Sequence, residues 1–183
     1  MKPVPLQDWD VSLQHVIDDM NGRPLNIHSL MANHPRLLAA WWDLRNYSVN
    51  GGDLEQRHCE IAILRVAVHL DSWYEWASHV ERGLACGLTL EEIERIKTGP
   101  AAAGWDVQEA AVLTAIDNLV ENQSIAAGTL QELGGHFTQQ QVLDIVLLYG
   151  MYNTIACMIN TWGLELDQHV AERLPGSVTE SSF

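Results

Sequence analysis

Glu60, Glu75 and His79 are the side chains of this 183-residue sequence whose types and spacing suit proton transfer. Glu75 and His79 stand four apart, so on a helix they share one face. Glu60 lies in the preceding helical segment, and a tight turn at Asp71-Ser72 would fold that segment back against the one carrying His79. A carboxylate would then meet an imidazole across an antiparallel helix pair. That pairing is the minimum equipment for general acid–base work near neutral pH.

Each of these residues also has a structural reading. Ser72-x-x-Glu75 satisfies the capping-box pattern, with Ser72 bonding the amide of Glu75 and Glu75 reaching back. Capping and catalysis are equally open for Glu75, and a carboxylate engaged as a cap is poorly placed as a base. Glu60 interrupts a mostly apolar helix, where an acid is costly unless paired. Its partner is His79, or else Arg57 or Arg65. Trp73 and Trp76 suit a core or an interface, and Trp41-Trp42 suits packing with one ring inward and one at a subunit boundary.

The elements that must position these groups are helices throughout. Helical spacing marks 9–20, closed by Asn21-Gly22 and Pro24, and then 27–47, interrupted at Asn33-His34-Pro35, where Asn33 can cap and Pro35 suits the first turn. Asn50-Gly51-Gly52 ends that stretch. Further helices are expected over 53–69, 72–86, 89–98, 106–122, 126–137 and a long apolar one over 138–166, with Thr89-x-x-Glu92 as a second capping box. The expectation is an all-α, single-domain bundle of seven or eight helices. It divides into an N-terminal helical extension (1–25), a helical domain (26–170) and a polar C-terminal tail (171–183) that frays from about Pro175. The last long helix is apolar on nearly every side, which calls for cover in an oligomer.

Composition narrows the partners. Apolar residues make up 47% of the chain, enough for a folded core, and 24 Asp plus Glu against 10 Lys plus Arg give a net charge of -14. That balance argues against nucleic acid and anionic membranes as partners, though a helix N-terminus can still hold a small anion. The opening MKPVPLQDWD has no apolar signal region, and the apolar stretch 142–162 is broken by Asp144, Gly150, Asn153 and Asn160. Cys59, Cys86 and Cys157 are scattered, so a reducing cytoplasmic setting is expected. The histidines show neither HExxH nor H-x₃-H spacing, and no phosphate loop, nucleophile elbow or dinucleotide fingerprint is present. No metal and no cofactor are expected.

Several segments resemble the carboxymuconolactone decarboxylase and alkylhydroperoxidase D-like family. They are Leu30-MANHP-Arg36, Glu55-QRHCE-Ile61, Ser72-WYEWASHV-Glu81, Gly87-LTLEEI, Trp105-DVQEAAVLTAIDNL and Gly150-MYNTIACMIN, in family order over about 26–166. Redox members of the family carry E-x₁₁-C-x₂-C-x₃-H. On this chain those positions are Glu60, Ser72, Glu75 and His79, so the resemblance implies the decarboxylase-type branch, not a thiol peroxidase. It further implies a cofactor-free lyase or proton-transfer enzyme on a small carboxylated or lactone substrate, with His79, Glu60 and Glu75 catalytic. In that reading Ser72, at its helix N-terminus, holds the carboxylate, and Tyr74 and Trp76 wall the pocket. A homotrimer, or a hexamer of trimers, is implied too. The alternatives are an alkylhydroperoxidase-like thiol peroxidase, which lacks its cysteine pair, and a non-catalytic helical oligomer that binds a ligand.

Overall fold

A computed structural model describes residues 1–183, the side chains of residues 50 and 51 excepted, and that part of the expected Asn50-Gly51-Gly52 stop lies outside the described residues. Among the described residues the chain is all-helical, with ten α-helices and no strands. Three are short: α1 (Gln14–Asp19), α2 (Asn26–Met31) and α10 (Gln168–Ala171). The body is built from α3 (Pro35–Asn46), α4 (Gln56–His69), α5 (Trp73–Ala85), α6 (Leu90–Thr98), α7 (Val107–Asn122), α8 (Ala127–Gly134) and α9 (Gln139–Trp162). The count exceeds the expected seven or eight because the interrupted 27–47 stretch forms two helices, α2 and α3, and α10 forms beyond the long helix.

α4 is the axis. Every residue from His58 to Ala67 is buried, and α5, α7 and α9 pack around it. An all-round buried helix needs an apolar sequence on all faces, and Ile61, Ala62, Ile63, Leu64, Val66 and Ala67 supply one. Its two arginines are each matched. Arg65 forms a two-pronged ion pair with Asp117 of α7 at 2.6 and 3.0 Å and also donates to the carbonyl of Ile96. Arg57 reaches both Glu92 and Glu109 at 2.6 Å. Neither arginine is therefore the partner of Glu60.

The helix ends follow side-chain chemistry in most places. Thr89, Asp106 and Thr138 close capping boxes on α6, α7 and α9. Two expected ends differ. His34, not Asn33, caps α3 by accepting the Leu37 amide at 3.2 Å, while Asn33 turns away to the carbonyls of Lys2 and Leu30. The long helix stops at Trp162 because Gly163 takes a left-handed φ of 57°, four residues before the expected end.

The terminal segments join the same core. Leu13 and Val16 of the N-terminal extension are fully buried, and Trp42 donates its indole N–H to Asp19 at 2.7 Å. The tail does not fray. Val178 is buried, and Phe183 lies 5.3 Å from Trp76 and 6.0 Å from Trp73, ring centre to ring centre. The sequence of the tail is polar, but its two apolar residues have an aromatic surface to cover.

α9 is long and apolar enough to cross a membrane by length and composition, which the reading of a broken apolar stretch had not anticipated. One face packs on α4 and α7, while Leu143, Val146 and Trp162 stay exposed. Asp144 is buried on its inner face. The carboxylate accepts the Tyr47 hydroxyl at 2.8 Å and the amides of Asp53 and Leu54 at 2.8 and 3.2 Å, which ties α9 to the entry of α4. Replacing Asp144 with Ala leaves two buried amides unpaired and should lower unfolding free energy by about 3 kcal/mol in urea titration.

Candidate active site

The turn between α4 and α5 sets the site. Asp71 adopts a left-handed φ of 49°, and the Ser72 amide bonds back to the Ala67 carbonyl at 3.0 Å. This 6→1 closure ends α4 and reverses the chain at once. α5 then runs antiparallel along α4, and His79 arrives opposite Glu60.

Glu60 is fully buried, and both its oxygens are used. Oε2 lies 2.7 Å from His79 Nδ1, and Oε1 accepts the Gln56 amide at 2.8 Å. With Glu60 as an acceptor, the imidazole proton belongs on Nδ1 and Nε2 is left as a free base. Burial lowers the pKa of His79, and the Glu60 charge works against that drop. The ring is further fixed by Tyr152, which meets it edge-on at 4.9 Å.

Glu75 is not a helix cap. Ser72 occupies the N-cap position without accepting any amide, its buried hydroxyl is unpartnered, and Glu75 turns inward to 3.8 Å from His79 Nε2. That separation is too long for a hydrogen bond but leaves the two groups facing one reaction space. Burial pushes the Glu75 carboxyl up to about 8; Arg82 opposes this and the Glu60 charge adds to it. At neutral pH Glu75 is thus mostly a protonated acid beside a basic nitrogen. Two titratable groups pushed apart in this way are suited to opposite roles in proton transfer.

These groups open into a small pocket with a cavity volume of ≈ 40 Å³, whose walls include His28, Trp41, Arg45, Tyr74, Arg82 and Tyr152. Tyr74 is on the wall, but its hydroxyl is committed to Asp167 at 2.5 Å and to the Ile27 amide at 3.3 Å. Ser72 and Trp76, expected to contact substrate, do not line this pocket. Trp76 is fully buried under Phe183, with Lys97 5.0 Å from its ring centre. Arg45, Arg82 and His28 were missed. Arg82 had a signal, since it lies three residues after His79 and seven after Glu75 on one helix face. His28 and Arg45 come from α2 and α3 and carried none.

Among the described residues, no group of three or more His, Cys, Asp or Glu side chains is arranged to hold a metal ion. The three cysteines are unpaired, and burial raises the Cys59 thiol to about 12, far from a reactive thiolate.

Comparison with known proteins agrees with this architecture. The sequence model of the Carboxymuconolactone decarboxylase family matches residues 35–117, the segment that holds Glu60, Glu75 and His79. Solved structures extend the likeness to nearly the whole chain. The alkylhydroperoxidase AhpD core of an uncharacterized peroxidase-related protein from Ralstonia eutropha JMP134 superposes with TM-score 0.81 at 17% identity, covering 94% of this chain and 96% of its own. An uncharacterized peroxidase-related protein from Silicibacter sp. TM1040 gives TM-score 0.78 at 15% identity, over 91% of each chain. A debrominase with a cysteine-to-alanine substitution, in complex with 2,3,4-tribromopyrrole, gives TM-score 0.77 at 12% identity over 93% of each chain. At these identities the likeness is one of fold. Among curated proteins none matches the sequence.

The raised Glu75 carboxyl has a consequence for stability. Its proton is held in the folded state up to about pH 8 but leaves the unfolded chain near the ordinary glutamate value of 4.5. Folding stability from this group is therefore complete below about pH 4.5 and falls as pH rises toward about 8. Glu75→Gln should remove that decline, so the wild-type-minus-variant difference in unfolding free energy should slope downward across this window and flatten above it. A difference that does not change with pH would contradict the protonated state.

Proposed function

We propose that the protein is a cofactor-independent lyase or proton-transfer enzyme of the decarboxylase type, acting on a small carboxylated or lactone substrate. The observation that carries the reading is the buried Glu60–His79 contact at 2.7 Å, opening on a pocket that also receives Glu75. Loss of CO₂ leaves the electron pair of the broken C–C bond on carbon as an enolate or dienolate. The protonated Glu75 carboxyl supplies the proton that quenches it. His79, neutral and hydrogen-bonded through Nδ1, uses Nε2 to accept or return a proton, and Glu60 stabilises the imidazolium whenever it forms. In an isomerisation the same atoms act in a different order: Nε2 removes an acidic C–H proton and Glu75 protonates the far end of the enolate. A neutral Glu75 does not repel a departing carboxylate, so its role is donation of a proton and not charge repulsion.

The peroxidase alternative gains no support from the site, where Ser72 and Glu75 stand at the positions the redox pattern gives to cysteine. We place the chemistry in the reducing cytoplasm, in keeping with three free cysteines. We also propose self-association as a trimer or hexamer, because Leu37 and Leu44 of α3 and Leu143, Val146 and Trp162 of α9 leave apolar surface uncovered.

Turnover of carboxymuconolactone by purified protein tests the activity. His79→Ala should reduce kcat by about 10² or more, Glu60→Gln should reduce it with little change in KM, and wild-type activity should fall as pH rises through about 8 while Glu75→Gln is slow throughout. Equal turnover by wild type and His79→Ala would remove His79 from the mechanism. Light scattering at micromolar concentration should give a multiple of the 20.4 kDa chain mass; a monomer mass would end the oligomer proposal.

A further inference from the structure

The five buried or part-buried arginines of this acidic chain divide into two groups. The part-buried Arg57, Arg65 and Arg95 each meet a carboxylate, at 2.6, 2.6 and 3.1 Å. Arg45 and Arg82, also part-buried, meet none within ion-pair distance among the described residues, although the chain carries 24 acidic side chains. Arg45 donates only to Asn46, at 3.1 Å, and its guanidinium stacks 5.0 Å from the Trp42 ring centre. The Arg82 guanidinium makes no hydrogen bond with a described residue. Both line the same pocket as His79 and Glu75, coming from α3 and α5.

Two guanidinium groups around one cavity repel each other and lose solvation. Their mutual field is felt by the surroundings: burial first, then Arg45 and Arg82, push His28 down to about 3. His28 is therefore neutral, and because its Nδ1 accepts the Leu25 amide at 3.2 Å, its proton sits on Nε2. The pocket thus collects two permanent cations and a neutral donor, with no internal anion to balance them. A bound anion relieves this arrangement, and paired guanidiniums match a carboxylate in charge and shape.

We propose that Arg45 and Arg82 bind a carboxylate of the substrate, and that this carboxylate is a handle retained through the reaction. This rests on the proton-transfer reading above for the chemistry but not for the binding. The handle follows from energetics. A carboxylate gripped by two guanidiniums is stabilised in the ground state, and its charge would leave them if it were lost as CO₂, so gripping the reacting group would raise the barrier. The bond that changes lies instead toward Glu75 and His79. The substrate class is a small organic acid with a second reactive centre: another carboxyl, or an acidic C–H beside a carbonyl or lactone. The carboxylate holder is then this arginine pair, in place of the Ser72 helix end.

Calorimetric titration of the full chain with acetate, benzoate and succinate, and with acetamide and benzamide as neutral matches, tests the site. At least one acid should saturate while the amides do not bind. Arg45→Gln and Arg82→Gln should each weaken the acid by about tenfold or more, and His79→Asn should retain acid binding while losing turnover. Amides binding as well as acids, no acid saturating, or full affinity in both arginine variants would overturn the proposal. The acid–amide comparison on wild type holds even if a variant fails to fold. Acid binding without turnover of any lactone acid would overturn the proposed function and leave the anion site standing, whereas turnover undiminished in both arginine variants would overturn the anion site alone.

Discussion

A carboxylate sits in the centre of this fold with no access to solvent, and the molecule is arranged around making that tolerable. An unpaired charge at the position of Glu60 would cost several kcal/mol even after relaxation. Two partners divide its oxygens: His79 across the helix pair and Gln56 one turn earlier. The His79 contact exists in only one register of α5 against α4. The left-handed residue at Asp71 and the immediate reversal at Ser72 fix that register, and the packing of α7 and α9 on the other sides of α4 prevents sliding. Because Nδ1 is spoken for, Nε2 points to the only open side, where the pocket is.

Burial then distributes charge in a way that surface chemistry would not. Glu60 keeps partners for an ionised carboxylate. Glu75, close by but without one, is raised to about 8 by the same burial. His28 and His79 are both shifted toward their neutral forms, and the two pocket arginines remain cationic. A net charge of -14 thus coexists with a local interior that favours anions. Net charge describes the surface facing bulk water, where screening over about 8–10 Å hides single groups; the pocket is governed by what lies within a few ångströms.

The sequence made the helices, most of their caps and the Glu60–His79 meeting legible, because each depends on spacing within one segment or across one short turn. The Thr89 box is local, and so is the four-residue step from Glu75 to His79. What stayed hidden depends on distant segments. His28 and Arg45 reach the pocket from α2 and α3, and no periodicity in 27–47 announces which side of α3 will face α5. The role of Ser72-x-x-Glu75 was ambiguous for a different reason. A capping box and an inward-facing acid use the same two residues, and the outcome turns on whether desolvating a protonated Glu75 beside His79 competes with a cap hydrogen bond. At Asn33 a residue with the right chemistry for a cap was outcompeted by His34. Trp76 lies in the core, as its bulk suggested, with Phe183 and Lys97 against its ring, and not at the pocket wall that the resemblance implied.

Residue identity at two positions sets what this site can hold. Where the redox pattern of the family places its cysteines, this chain has Ser72 and Glu75. Ser72 is buried at the start of α5, with a hydroxyl that neither caps nor reaches the pocket. It fills the space of a thiol without replacing its electrons. Glu75 is different, since its side chain is longer than that of cysteine by one methylene and a planar carboxyl, and so it extends toward His79 Nε2. A thiol at that position would give the imidazole a nucleophile to deprotonate. A carboxyl of raised pKa gives it a proton to exchange. Beside the Glu60–His79 pair, the third group of this chain is thus a proton-bearing carboxyl and not a thiol.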